Sequence, residues 1–216
     1  MINTVELTPK DFNHAAILLA EAFYDNPPHV CIFPDSATRF ESLQWGLKAF
    51  LKLNLSPPTP IGKSFALVEA NQPPGIRQVK AMAFWNYPES KSASFISKLK
   101  SGWLTIPFKY DRATFQRLKK AMMAIDETKK EVLGQNKAWY LNNMVVAKEL
   151  RGTGVGSKLL GHQLESVVIP SGFPAIAMTQ KEINVKFYQK LGFKIANKST
   201  TSIGRNSFTN WCLIFN

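Results

Sequence analysis

The sequence predicts a mixed α/β fold, with a sheet that is antiparallel in its first part and carries a strand–helix–strand unit in its last. Three observations predict it. Residues 64–70 and 78–87 are strand-like runs on either side of Asn71-Gln72-Pro73-Pro74-Gly75, the composition of a hairpin turn. Residues 138–147 form a strongly apolar run that leads into a glycine-rich loop and then a helical stretch. Beyond it, strand-like runs near 174–179, 193–199 and 207–215 surround a helical period over 182–190.

The remaining elements follow in order. Residues 4–8 alternate as a short first strand, and Thr8-Pro9-Lys10-Asp11 reads as a helix start with proline in the first turn. The run from Phe12 to Phe23 is apolar at helical spacing and ends before Pro27-Pro28, because Pro28 cannot continue a helix. Asp35 or Ser36 caps a second helix over 37–53, with Phe40, Leu43, Leu47 and Phe50 on one face. Pro57-Pro58-Thr59-Pro60 is a stiff break. Residues 88–137 are expected to hold helices near 91–100 and 111–130, as a helical insertion or lid. A helix over 155–168 follows the glycine-rich loop. No internal repeat or low-complexity tract is present.

The chain has 216 residues, enough for one domain with its own core and no help from disulfides or metals. We read it as one domain over 1–216, with a ligand-binding core at about 138–216 and acceptor-side elements at about 20–137. The longest apolar stretch near the start, 15–20, is far short of the ~20 residues of a membrane span, so no membrane partner is expected. Met1-Ile2-Asn3-Thr4 opens no secretory signal. Cys31 and Cys212 stand far apart, so a reduced, cytoplasmic protein is expected. His14, His29 and His162 have no ligand spacing, so no metal is expected. The net charge of +12 fits a solvated basic surface, a phosphorylated ligand or nucleic acid. The basic pairs are scattered, with no arginine run, and nucleic acid is not the expected partner.

The chemistry centres on Arg151-Gly152-Thr153-Gly154-Val155-Gly156-Ser157-Lys158, where a buried strand runs into a glycine loop that opens a helix. The first turn of a helix has free N–H groups and the positive end of its dipole, and glycines let a phosphate approach them. The result is an anion cradle suited to a pyrophosphate. A Walker loop is excluded because Ser157 precedes Lys158, and the Rossmann spacing is not met because the glycines fall at 152, 154 and 156. The acyl-CoA pattern fits: Arg, two residues, Gly, one residue, Gly.

These residues resemble the GNAT acetyltransferase superfamily. The 151–156 loop matches its pyrophosphate motif, and Asn184-Val185-Lys186-Phe187-Tyr188-Gln189-Lys190-Leu191-Gly192-Phe193 matches its second motif. The likeness covers about 64–216. A looser likeness to puromycin-type small-amine acetyltransferases rests on Ala22-Phe23 with Asn26-Pro27, Phe33-Pro34-Asp35, Ala83-Phe84-Trp85 before Pro88, and Trp139-Tyr140-Leu141.

The resemblance implies a mixed sheet with two splayed strands, flanked by helices. It implies acetyl-CoA as acyl donor and direct transfer to an amine in a ternary complex. Gly152, Thr153, Gly154, Val155, Gly156 and Ser157 with Arg151 would hold the pyrophosphate. The edge at Met144, Val145 and Val146 would pair with pantetheine, and the N–H of Val146 or Val145 would serve the oxyanion. Asn184 would bond the pantetheine arm and Tyr188 would protonate the leaving thiolate, a phenol near pKa 10 facing a thiol near 8.5. Where many members carry a carboxylate, this strand carries Asn142 and Asn143. Glu21, Asp25 or Glu69 are then the candidate bases. Phe23, Asp25, Trp85, Trp103, Tyr140 and Asn142 are the candidate acceptor residues, an acid-poor aromatic set that suits an apolar or aromatic amine. The alternatives are a protein amine as acceptor and a non-catalytic CoA-binding regulator. The chain is expected to act as a monomer or homodimer.

Overall fold

Strand β1 (Ile2–Val5) opens the chain and pairs antiparallel with β2 (Gly62–Glu69), which pairs antiparallel with β3 (Val79–Asn86). The computed structural model describes residues 2–55, 60–69, 73–89 and 95–216. The break at 57–59, the first two residues of the 71–75 turn and the 91–94 part of the expected helix lie outside them. After β3 come α4 (Phe95–Ser101), α5 (Ile106–Lys109) and α6 (Arg112–Leu133). Then β4 (Trp139–Val146), α7 (Val155–Gln163), a π-helical turn at Leu164–Val168 and the short α8 (Ile169–Ser171) follow. Strand β5 (Ala175–Thr179), α9 (Glu182–Lys190), β6 (Lys194–Ile203) and β7 (Asn206–Phe215) complete the chain. The seven strands form one mixed sheet in the order β1-β2-β3-β4-β5-β7-β6.

Before β2 lie α1 (Phe12–Phe23), α2 (Pro27–Ile32) and α3 (Ser36–Leu55). Helix α2 corrects the reading of Pro27-Pro28 as only a stop. A proline ring is excluded from a helix interior but suits the first turn, where no N–H is needed, and both prolines sit there. Strand β1 begins and ends earlier than the expected 4–8, because Thr8 is taken up by the helical turn that starts at Pro9. Asp111 caps α6 by accepting from Thr114 N–H at 2.9 Å.

The two sheet faces carry separate cores. Phe12, Ala15, Ala16 and Leu19 recur at helical spacing on α1 and pack on Met82, Phe84 and Val145. On the other face, Leu160, Leu164, Val168, Val185 and Tyr188 pack on Trp85, Leu141, Ala175 and Ala177. A third cluster joins Ile32 and Phe33 to Ile106, Tyr110 and Ala121. Cys31 and Cys212 are buried free thiols.

Among the described residues one ion pair lies in the interior. Arg77 donates to Asp11 from Nε at 2.8 Å and from its terminal nitrogen at 2.6 Å. Thr8 N–H and hydroxyl and Gly75 N–H also donate to that carboxylate. Burial raises the Asp11 pKa, but the Arg77 hydrogen bond and the other donors outweigh it and hold the carboxyl below its ordinary value. Asp11→Ala strands a buried guanidinium and is expected to cost about 3–5 kcal/mol of unfolding free energy, read by urea titration. Because the folded-state pKa is lowered, the pair stabilises fully above the unfolded carboxylate value near 3.9. That contribution is lost as pH falls through the folded pKa, so the variant loses its deficit only in acid.

Candidate active site

Strands β4 and β5 run parallel but pair only over Trp139–Leu141 and Ala175–Ala177. Beyond that point they diverge, leaving the β4 edge at 142–146 unpaired on its β5 side. A bulge lies in the opposite ladder, where Phe84 faces Asn143 but Trp85 faces Leu141, so Asn142 is the extra residue. Ala147 N–H donates to Lys80 O across that ladder at 2.8 Å. Strand N–H groups alternate in direction, so those of Val146 and Met144 point into the splay. The Val146 carbonyl points the same way and accepts from Arg151 Nε at 3.0 Å, tying the loop to the strand end.

The loop is a cradle by construction. Gly152 and Gly154 have φ of 79° and 84°, the left-handed region that favours glycine. A Cβ at either would meet no protein atom within 4 Å. Lys158 N–H reaches Gly154 O at 3.0 Å, leaving the N–H groups of Val155, Gly156 and Ser157 at the free end of α7. Gly156 is needed for a different reason: a Cβ there would lie 3.3 Å from Val146 Cγ2 and 3.6 Å from Met144 and Phe187 side chains. The loop, the open strand edge and α9 enclose a cavity of about 540 Å³.

Of the sequence-derived residues, this cavity brings together Phe23, Asn142, Met144, Val145, Val146, Arg151, Gly152, Gly154, Gly156, Ser157, Asn184 and Tyr188. Thr153 and Val155 belong to the loop without lining it. Asn184 is oriented by donating to Thr179 Oγ1 at 3.0 Å, and Asn142 by donating to Asn86 Oδ1 at 2.8 Å. Tyr188 sits between Phe187 and Phe193, and burial pushes its phenol well above the ordinary tyrosine range.

Four acceptor candidates lie elsewhere. Trp85 is 1% exposed and donates to the buried Gln163 Oε1 at 2.6 Å, on the α7 side of the sheet. Tyr140 lies on the opposite face beside Val132 and Leu133 of α6, with Lys129 Nζ 4.6 Å from its ring centre. Trp103 packs into the Ile32–Ile106 cluster, and Asp25 is exposed outside the cavity lining. The candidate bases are not gathered either: Glu21 is exposed, and Glu69 pairs with Lys80 at 3.4 Å on the far side of β3. Among the described residues no Asp or Glu lines the cavity, and its charged lining residues are Arg151 and Lys181.

Sequence reading missed Gln180 and Lys181, which carry no motif signal but lie in the β5–α9 turn. Gln180 accepts from Asn26 Nδ2 at 3.3 Å and donates to Asn210 at 3.0 Å, joining the α1–α2 turn to the sheet. Behind Phe23 stands His29, ring centres 5.3 Å apart. Burial, with nearby Lys181, lowers the His29 pKa to about 4 against the opposing pull of the Phe23 carbonyl. The imidazole is therefore uncharged at neutral pH. Among the described residues no helix is long and apolar enough to cross a membrane, and no group of three or more His, Cys, Asp or Glu could hold a metal ion.

Comparison with known proteins gives a domain match and a fold likeness. The family model of the acetyltransferase (GNAT) domain matches residues 120–195. The fold is similar to arylalkylamine N-acetyltransferase 2 from Aedes aegypti, with a TM-score of 0.58 and 14% identity over 100% of this chain and 98% of that one. It is also similar to Arabidopsis thaliana NAA60 in complex with acetyl-CoA, with a TM-score of 0.53 and 14% identity over 100% and 98% of the two chains. In sequence, 136 residues are 32% identical to part of a probable serine/threonine-protein kinase of Dictyostelium discoideum. That match covers 59% of this chain but only 14% of the kinase. The GNAT acetyltransferase domain match thus spans the cradle, strand β5 and α9, and the fold over the whole length is similar to that of these acetyltransferases.

Proposed function

We propose that the protein acetylates the nitrogen of a small apolar or aromatic amine that reaches the cavity uncharged, with acetyl-CoA as donor. One observation carries this reading: the glycine cradle, Asn184 and Tyr188 share a cavity with Phe23 and Asn142, and among the described residues no carboxylate lines it. The cradle fits a pyrophosphate, since a Cβ at Gly152 or Gly154 would project into open space and α7 presents free N–H groups. Asn184 would hold the pantetheine amide, and the inward N–H group of Met144 would pair with the same arm.

The amine lone pair would attack the thioester carbonyl carbon. The carbonyl oxygen takes up the negative charge, and the Val146 N–H stabilises it. The carbon–sulfur bond then breaks, and Tyr188 gives the departing thiolate a proton. After attack the nitrogen carries one excess proton, which restores the Tyr188 phenol. An amine that arrives uncharged has no second proton to lose and so needs no carboxylate, and Lys181 and Arg151 disfavour a cation further.

The expected result is selective turnover. In an assay of thiol release at pH 7, arylamines should exceed agmatine and spermidine in kcat/KM by about tenfold or more, the scale of one unpaired charge interaction. Preference for the polycations would contradict the acceptor reading. Thiol release with no amine in the panel, while acetyl-CoA still binds, would favour a non-catalytic CoA-binding regulator.

A further inference from the structure

Helix α4 is inside out. Its buried residues are Ser97 and Ser101, while Phe95, Ile96 and Leu99 are 70%, 59% and 61% exposed. Ser101 is occupied locally, donating to Lys98 O and accepting from Trp103 N–H. The pattern continues through α5. Trp103, Ile106 and Tyr110 turn inward against Phe33, Leu43 and Trp45, and Tyr110 donates to Ser42 O at 2.8 Å. Leu104 and Phe108 turn outward, Phe108 at 90% exposure. The segment is thus anchored on its inner side and presents five large apolar side chains outward.

Charge decides what such a face meets. Between Glu89 and Asp111 the sequence has no acidic residue and four lysines, at 91, 98, 100 and 109. Lys100 and Lys109 are exposed and Lys98 is half-buried. A second copy is a poor occupant, because a two-fold contact would set these lysines against themselves. The same +12 net charge on both copies adds to the repulsion. An anionic lipid surface satisfies both components. Short apolar side chains enter the boundary of the acyl chains, and lysines reach the headgroup phosphates.

We propose that the outer face of residues 95–109 rests on an anionic lipid surface. Lying on a surface requires no membrane-spanning helix, and this docking does not depend on the acyl-transfer reading.

The test is co-sedimentation of the full chain with vesicles of phosphatidylcholine alone or with about a third phosphatidylserine. The protein should prefer the anionic vesicles by about tenfold, and should release as salt rises to about 0.5 M and the screening length falls below roughly 5 Å. Because the whole protein is basic, charge alone gives some binding, so the apolar residues are the discriminating arm. The triple variant Phe95→Ser, Leu99→Ser, Phe108→Ser removes exposed side chains. It should keep its thermal midpoint and lose about tenfold in vesicle affinity. If that variant unfolds, Lys98→Gln, Lys100→Gln, Lys109→Gln carries the test by losing the preference for anionic vesicles. Equal vesicle binding by the wild type and a folded triple variant would overturn the proposal. So would light scattering that shows a dimer which the triple variant abolishes, since the face would then belong to a second copy.

Discussion

Tyr188→Phe is expected to lower kcat by about a hundredfold while changing acetyl-CoA affinity by less than about twofold, the pattern of a group that acts only in the transition state. The phenol lines the cavity beside Asn184, and among the described residues no hydrogen bond holds its hydroxyl in a structural role. Its ring packs between Phe187 and Phe193, and phenylalanine keeps that packing. The variant should therefore fold normally, and its thermal midpoint checks that it does. Burial raises the Tyr188 pKa, so the acid stays protonated through the neutral range. The kcat profile should show no alkaline fall from loss of this proton below about pH 10. A kcat equal to that of the parent would remove Tyr188 from the acid role.

Gly154→Val is expected to weaken acetyl-CoA binding by about a hundredfold, equivalent to two charge-assisted hydrogen bonds of ~1.5 kcal/mol each. The backbone there has φ of 84°, so valine adds strain of about 1–2 kcal/mol, visible as a lower midpoint. A Cβ would meet no protein atom, so the binding loss comes from the space the pyrophosphate needs. Gly161 is a control for adding a side chain elsewhere on the same helix: it lies in α7, and its Cβ also meets nothing within 4 Å. Gly161→Ala should leave affinity unchanged and stabilise by up to about 1 kcal/mol. Equal affinity in parent and Gly154→Val, read by calorimetric titration, would place the phosphate elsewhere.

The glycine-loop and α9 side of the cavity was legible because its constraints are local. A strand, a glycine loop, a helix start and the Asn184–Tyr188 turn each need particular residue types at fixed spacing, and α9 occupies the expected 182–190. The acceptor side was not, for two reasons visible in single residues. Residues 81–85 are all fully or nearly buried because both faces of β3 are covered, so period two could not say which way Trp85 points. Tyr140 would share a face with Met144 in a regular strand. The extra residue at Asn142 moves Leu141 to that face and turns Tyr140 toward α6. The bulge has no composition signal of its own. Helix α2 was missed because two prolines are equally good as a stop and as a start.

The central claim is that the 151–156 loop binds acetyl-CoA, and thermal shift with acetyl-CoA beside ATP tests it most directly. At about 100 times Kd, a ligand adds about 2.7 kcal/mol, which for a chain of this size raises Tm by roughly 5–10 °C. The account predicts that rise with acetyl-CoA, little or none with ATP, and its loss in Gly154→Val. No shift at about millimolar acetyl-CoA, the top of the ordinary KM range, would contradict it.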